Sequence, residues 1–158
     1  MTGATGFIGS RVARRLVATG WKIRALTRRT SDRSRLSGLD IRWVEGALED
    51  VDSLRRLVYG VRAVVHCAGA VRGATGDHFN RLNVDGVARL VHAAIEQHPL
   101  PRFLLISSLA AREPKLSAYA FSKQQGEAVL AEHAGRMLWM TLRPPAVYGP
   151  GEKEMLPL

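Results

Sequence analysis

The sequence predicts an α/β protein in which a doubly wound parallel sheet carries helices on both faces. Three observations predict this fold class. Apolar segments of strand length alternate with segments of helical period along the chain. A loop with glycine at every third position, residues 3–9, opens the first helical segment. No apolar run approaches the roughly 20 residues that span a bilayer. Such alternation requires right-handed crossovers between parallel strands, with helices above and below the sheet.

The first half of the chain supplies two helical segments and three strands. Residues 7–19 carry Ile8, Val12 and Leu16 at four-residue spacing, and Gly20 follows as a helix stop. Strands are predicted at 22–27, 41–44 and 61–67. A short helix at 49–59 ends at Gly60.

The second half continues the alternation. One long helix is predicted over 77–98, because apolar residues recur along it at helical spacing from Phe79 to Ile95. A buried strand at 103–107, a helix at 117–134 and an apolar segment at 137–142 follow, before Pro144 and Pro145. Ligands of such sheets bind beyond the carboxyl ends of the strands.

The two ends of the chain look incomplete for this fold. A glycine loop of this kind normally follows a central strand, yet only Met1 and Thr2 precede it. We therefore expect the natural protein to begin before Met1, with the strand order 3-2-1-4-5-6. Residues 1–150 are predicted to form the dinucleotide-binding domain. Residues 151–158 are predicted to start the link to a C-terminal substrate domain.

The composition and the charge distribution limit the classes of molecule that the protein is expected to bind. Of the formal charge of +9, a net +8 falls in residues 1–42, but aromatic residues are not interleaved with these arginines as in single-strand nucleic-acid platforms. We predict a phosphate-bearing small molecule rather than a nucleic acid or a membrane. Cys67 is the only cysteine, so an intrachain disulfide is excluded and a cytoplasmic location is expected.

The glycine loop predicts a Rossmann-type dinucleotide site. In the spacing G-x-x-G-x-x-G, Gly3 permits a tight turn, Gly6 lets backbone amides approach a pyrophosphate, and Gly9 lets the helix pack closely on the sheet. The helix N-terminus adds free N–H groups and a partial positive charge. A glycine turn without a ligand is the alternative.

The residues after the second predicted strand favour NADP over NAD. NAD-selective sites place an acidic residue there, to bind the ribose 2′-hydroxyl. This chain has Arg28 and Arg29, and a guanidinium suits a 2′-phosphate. The alternative is that both arginines are solvated loop charges.

A Ser-Tyr-Lys set predicts proton handling beside that cofactor. Tyr119 and Lys123 lie one helical turn apart on one face. A nearby cation favours the phenolate, so Tyr119 can pass a proton to or from a carbonyl or hydroxyl oxygen. Ser108, after a buried strand, is placed to hydrogen-bond the same oxygen.

These features resemble the short-chain dehydrogenase/reductase superfamily, in its extended branch of NAD(P)-dependent epimerases and dehydratases. The matching stretches are T-G-A-T-G-F-I-G at 2–9, H-C-A-G at 66–69, L-N-V-D-G at 82–86, I-S-S at 106–108, Y-A-F-S-K at 119–123 and L-R-P-P-A-V-Y-G-P-G at 142–151. The resemblance implies a catalytic triad of Ser108, Tyr119 and Lys123. It also implies that Asn83 supports a water relay to the lysine, with a helix kink or a cap as its alternative role.

The resemblance also implies how a cofactor is held. Leu48 would lie against the adenine, and Ala68 and Gly69 against the adenosine ribose and phosphate. Lys123 would hold the cofactor ribose and lower the pKa of Tyr119. The glycine-loop contacts would be Gly3, Thr5, Gly6, Phe7, Ile8 and Gly9, and the nicotinamide-end contacts Pro144, Ala146 and Val147. His66 matches no family catalyst, and we expect it to be structural.

Departures from the family patterns limit the classes of substrate and reaction that are expected. Leu109 and Ala110 stand where sugar-nucleotide dehydratases have an Asp-Glu pair, and Ala146 stands where many epimerases have asparagine. We therefore predict an oxidoreductase that moves hydride between the nicotinamide and a hydroxyl or carbonyl carbon of a small molecule. A nucleotide-sugar epimerase and a non-catalytic NADP-binding sensor or structural subunit are the alternatives. No metal site is expected. A homodimer is expected, with the two copies in contact through residues 77–98 and 117–134.

Overall fold

The computed structural model describes residues 1–73 and 75–152, and its elements confirm the predicted α/β alternation. In chain order they are α1 (Phe7–Ala18), β1 (Ile23–Thr27), β2 (Ile41–Glu45), α2 (Val51–Val58), β3 (Ala63–His66), α3 (Gly76–Asn83), α4 (Asp85–Ile95), β4 (Arg102–Ile106), α5 (Ala118–His133) and β5 (Trp139–Leu142). Short 3-10 helices lie at Ser34–Leu36, Leu109–Arg112 and Pro114–Leu116.

All strand pairs are parallel. β1 pairs with β2, while β3, β4 and β5 form a second ladder. Met1 and Thr2 lie between the two ladders, because the Met1 carbonyl accepts a hydrogen bond from Leu26 N at 2.9 Å and Thr2 N donates to the Val65 carbonyl at 3.0 Å. Spatially the order is β2, β1, the Met1–Thr2 segment, β3, β4 and β5.

The helices cover both faces of the sheet. One core cluster lies under α1 and includes Ala13, Ala25 and Ile41. The larger cluster packs residues of α2, α4 and α5 on the other face. Its fully buried members include Leu54, Leu57, Leu90, Val91, Phe103 and Leu130. Layers on both faces leave the carboxyl edge of the strands as the place for a site.

Local sequence signals set the element ends. Asp50 caps α2 by accepting from Asp52 N at 3.1 Å and Ser53 N at 3.2 Å. Gly20 and Gly60 follow α1 and α2 with φ of +85° and +64°, the left-handed conformation that ends a helix at little cost in glycine. Both glycine stops are therefore confirmed.

The prediction of one long helix over 77–98 is wrong. Two helices, α3 and α4, occupy this range, and they are separated at Val84, whose φ and ψ are −111° and −66°. α4 ends at Ile95, four residues ahead of Pro99, and the proline disfavours helical backbone at His98.

Tertiary contacts at Asn83 accompany the interruption. The Asn83 side chain is buried, accepts from Ala70 N at 2.8 Å, and donates to the Ala70 carbonyl at 3.0 Å and to Ser122 Oγ at 2.9 Å. A Cβ on Gly126 would lie 2.2 Å from the Asn83 carbonyl oxygen, so α5 approaches the chain closely here. Hydrophobic periodicity carries no information about either contact.

Asn83→Ala should lower the free energy of unfolding by about 2–4 kcal/mol, because it leaves the Ala70 N–H, the Ala70 carbonyl and the Ser122 hydroxyl without their buried partner. Urea denaturation followed by circular dichroism measures this change. Asn80→Ala, at an exposed position of the same helix, is the matched control and should change stability by less than about 0.5 kcal/mol. Equal losses in the two variants would contradict the assignment.

Candidate active site

The glycine loop leaves no room for side chains at two of its three glycines. Gly3 has φ +66°, and a Cβ there would lie 2.5 Å from Ala68 N. A Cβ on Gly9 would lie 1.9 Å from the Gly3 carbonyl oxygen. The loop is thus folded onto itself and onto the segment that follows β3. This contact brings the start of α1 to the carboxyl edge of the sheet.

The first turn of α1 has donors that fit a phosphate. Gly6 caps the helix without a side chain, and the first turn holds no acidic residue. Within residues 1–73 and 75–152, no acceptor takes a hydrogen bond from the backbone N–H of Phe7, Ile8 or Gly9. Such N–H groups and the positive end of the helix dipole attract anions. A dinucleotide pyrophosphate suits this cradle.

Arg28 and Arg29 are exposed directly after β1, beside the buried Thr27. Neither guanidinium has a hydrogen bond or ion pair within the described part of the chain. Both are therefore open to an anionic group at this end of the sheet. Arg33, by contrast, lies over the Trp43 ring at 5.0 Å from the ring centroid.

Two further arginines bind the backbone of the last described segment. The sequence did not predict these contacts. Arg11 donates to the Pro150 carbonyl at 2.8 Å, and Arg35 donates to the Gly151 carbonyl at 2.6 Å. With Arg14 they line an open basic cavity of about 330 Å³ next to the first turns of α1. The cavity adds positive charge on the side of the glycine loop.

The segment after β3 connects the glycine loop to α5. Ala68 lies against Gly3, as described above. A Cβ on Gly69 would lie 2.7 Å from Asn83 Oδ1 and 3.8 Å from Lys123 Nζ. Leu48, three residues after the end of β2, is only 7% exposed and packs on Gly86 of α4. Most of its side chain thus faces the core.

Lys123 is buried at the meeting point of these elements. Its Nζ donates to the Ile106 carbonyl, the last of β4, at 3.0 Å. Burial lowers the pKa of Lys123 to about 8, and the Glu127 carboxylate opposes that shift. At neutral pH the amine is therefore still largely protonated, in a place where a charge is costly.

Tyr119 and Ser108 lie near this lysine without bonding to it. The Tyr119 ring is half-buried and meets the Phe79 ring edge-on, with centroids 6.0 Å apart. Its hydroxyl has no hydrogen-bond partner among the described residues. Ser108 Oγ accepts from Ala110 N at 3.2 Å. The two hydroxyls are thus not hydrogen-bonded to each other.

The segment after β5 completes the surroundings. The Pro144 carbonyl accepts from Leu109 N at 2.9 Å, so this segment lies beside Ser108. Ala146 and Val147 are exposed. A Cβ on Gly149 would lie 3.9 Å from the Phe7 ring, which returns the chain to the glycine loop. Five of the predicted stretches therefore surround one edge of the sheet: 3–9, 68–69, 108, 119–123 and 144–147.

His66 and Cys67 lie beneath the site. The His66 ring is fully buried, and its Nδ1 is 2.5 Å from Thr2 Oγ1. Burial lowers the pKa of His66 to about 3 and raises the pKa of the Cys67 thiol to about 11, so both are uncharged at neutral pH. This fits a packing role rather than a catalytic one.

An ion pair that the sequence did not predict joins two segments of the site. Arg143 Nε lies 3.0 Å from both carboxylate oxygens of Glu127, and its Nη2 lies 2.5 Å from Oε2. The spacing of Glu127 from Lys123, one helical turn, was visible in the sequence. Its partner follows β5 and could be found only from the fold.

The described residues contain no group of three or more His, Cys, Asp or Glu side chains able to hold a metal ion. None of their helices is both long and apolar enough to cross a membrane.

Known proteins match the chain over nearly its whole length. The family model of the NAD dependent epimerase/dehydratase family matches residues 1–157. Ceramide reductase of Caulobacter vibrioides (strain NA1000 / CB15N) is 43% identical over 100% of this chain and 49% of its own length. 2-alkyl-3-oxoalkanoate reductase of Stenotrophomonas maltophilia (strain K279a) is 30% identical over 99% of this chain and 53% of its own.

Solved structures agree with this result. The Bordetella bronchiseptica enzyme WbmH in complex with NAD+ superposes with a TM-score of 0.84 at 26% identity, covering 99% of this chain and 58% of that one. The chain spans about half the length of the relatives it matches. Its fold, its glycine loop and these matches lead to one conclusion: the chain belongs to the NAD-dependent epimerase/dehydratase family.

Proposed function

We propose that this protein is an NADP-dependent reductase that acts on the carbonyl group of an apolar small molecule. The observation that carries the proposal is Lys123, a lysine buried one helical turn from Tyr119 at the carboxyl edge of β4. A buried, protonated amine beside a phenol is the arrangement that proton transfer to a carbonyl oxygen needs.

The chain's own residues would divide the work as follows. The bound cofactor supplies the hydride. Lys123 stabilises the phenolate of Tyr119 by its charge, and it holds the cofactor ribose. Tyr119 Oη gives a proton to the substrate oxygen, and Ser108 Oγ donates a hydrogen bond to that oxygen as negative charge develops on it. Asn83, through Ala70, keeps the segment after β3 in place beside Lys123.

The surroundings of Ser108 and Tyr119 favour an apolar substrate. Leu109 follows Ser108 and is 44% exposed, and Leu116, shortly before Tyr119, is 80% exposed. Leu109 and Ala110 also replace the acid and base that elimination of water would require. Two relatives are named as reductases of a ceramide and of a 2-alkyl-3-oxoalkanoate. Together these observations support a carbonyl on a long aliphatic molecule.

We also propose that two copies associate through the outer faces of α4 and α5, where Phe121 of α5 is 48% exposed. Phe121→Arg should convert a dimer to a monomer in sedimentation velocity at micromolar concentration, because it buries a charge in an apolar contact. Tyr59→Arg, at a 74% exposed position after α2, should leave the dimer intact. A monomeric wild-type protein would contradict this proposal.

The proposed activity predicts NADPH oxidation by the whole protein with long-chain 3-oxo compounds and none with UDP-glucose. Tyr119→Phe should lower kcat by at least about 100-fold, because the proton donor is lost. It should change the Kd of NADPH less than about threefold, because the phenol hydroxyl supplies little cofactor affinity in this proposal. Absorbance at 340 nm and fluorescence titration measure the two quantities. Cofactor binding without turnover on any carbonyl would instead favour a sensor.

The NADP preference assigns a separate role to Arg28. Arg28→Asp should raise the Kd of NADPH at least about tenfold more than that of NADH, since it replaces a 2′-phosphate partner with a like charge. Arg15→Asp, at an exposed position late in α1, makes the same change in net charge and serves as the control. Equal effects on both cofactors would remove Arg28 from the pocket.

A further inference from the structure

The ion pair between Arg143 and Glu127 is built more tightly than a surface pair. Three guanidinium–carboxylate contacts of 2.5–3.0 Å form a fork on both oxygens. The Glu127 side chain is 11% exposed, while that of Arg143 is 44% exposed. A carboxylate this buried is costly without a partner, so the geometry of Arg143 determines how Glu127 is held.

The pair connects segments that carry the site residues. Glu127 shares one face of α5 with Tyr119 and Lys123, at successive four-residue spacings. Arg143 directly precedes Pro144, whose carbonyl accepts the Leu109 hydrogen bond beside Ser108. The contact thus fixes α5 relative to the segment after β5 and, through it, to the segment after β4.

Glu127 is also the carboxylate that acts on Lys123. Among the described residues, the other titratable groups that interact with this amine are His66, the last residue of β3, and Cys67, which follows it. Tyr119 lies one turn earlier on the same helix. His66 and Cys67 are uncharged at neutral pH, as derived above. The Ile106 carbonyl of β4 provides the remaining polar contact. The negative charge that favours protonated Lys123 therefore comes from Glu127.

We propose that Glu127 is a positioning residue that keeps Lys123 protonated, and that Arg143 limits this effect by neutralising part of the Glu127 charge. The proposal rests on the proposed function only in assigning catalysis to Lys123. It adds that two residues outside the predicted site set the pH range in which that lysine carries its charge.

Opposite shifts of the Lys123 titration in two variants distinguish this role from a purely structural one. Glu127→Gln removes the negative charge and leaves Arg143 as a nearby cation, so the Lys123 amine should lose its proton at lower pH. Arg143→Met removes a cation and leaves Glu127 unneutralised, so the same amine should keep its proton to higher pH. Both variants lose the fork and should melt at a lower temperature.

The test is a titration of the Lys123 side chain in the whole protein labelled with [ε-13C]lysine, with Lys123→Arg used only to assign the resonance. We expect its midpoint to move down by about 0.5 pH units or more in Glu127→Gln and up by a similar amount in Arg143→Met. Arg143→Lys keeps the charge without the fork, so it should lower the melting temperature and leave the midpoint nearly unchanged.

The exchanged pair, Glu127→Arg with Arg143→Glu, gives a further check. It should recover part of the melting temperature, yet its Lys123 midpoint should stay low, because a cation now occupies position 127. Shifts in the same direction in Glu127→Gln and Arg143→Met, or no shift in either, would overturn the proposal.

Kinetics then separate this proposal from the proposed function. In an active protein, the alkaline limb of kcat/KM should follow the same two directions as the titration. Opposite titration shifts in a protein without carbonyl turnover would support the proposed role of Glu127 and Arg143 and reject the proposed reductase activity.

Discussion

The site depends first on how closely the backbone at Gly3 approaches the backbone at Ala68. A side chain at Gly3 would collide with that segment, and one at Gly9 would collide with Gly3 itself. Because both positions lack a Cβ, the first turn of α1 lies directly against the end of β3. The free N–H groups of that turn are thereby placed beside the strand ends that carry the other candidate site residues. A phosphate at this turn would sit a short distance from the elements that hold Lys123.

The second constraint is the balance of charge around one buried amine. Desolvation alone would favour a neutral Lys123, whereas the nearby carboxylate favours the cation. The Ile106 carbonyl satisfies one of its three donors. Its other N–H groups have no acceptor among the described residues, which is what the proposed contacts with a cofactor ribose and Tyr119 require. A lysine on an exposed helix face would have the charge but neither the orientation nor the sensitivity to its neighbours.

Local patterns predicted most of the architecture because they act over a few residues. The stops at Gly20 and Gly60 and the alternation of strands and helices depend on neighbours in the chain, and the structure has them as expected. The break at Val84 was missed because the partners of Asn83 lie 13 and 39 residues away. For the same reason the partner of Glu127 could not be found: Arg143 approaches it only after β5 enters the sheet. Arg11 and Arg35 were visible as charges, but their carbonyl partners at 150 and 151 were not.

The contact between Asn83 and Ala70 has a mechanical consequence. One side-chain amide pairs with both backbone polar groups of Ala70, and the same amide donates to Ser122, whose hydroxyl donates to the Tyr119 carbonyl at 2.8 Å. Ala70 therefore cannot move away from Asn83 without breaking two buried hydrogen bonds together, and Asn83 is bonded in turn to the helix that carries Tyr119. By contrast, the side chains of Leu109 and Leu116, which follow Ser108, face the solvent.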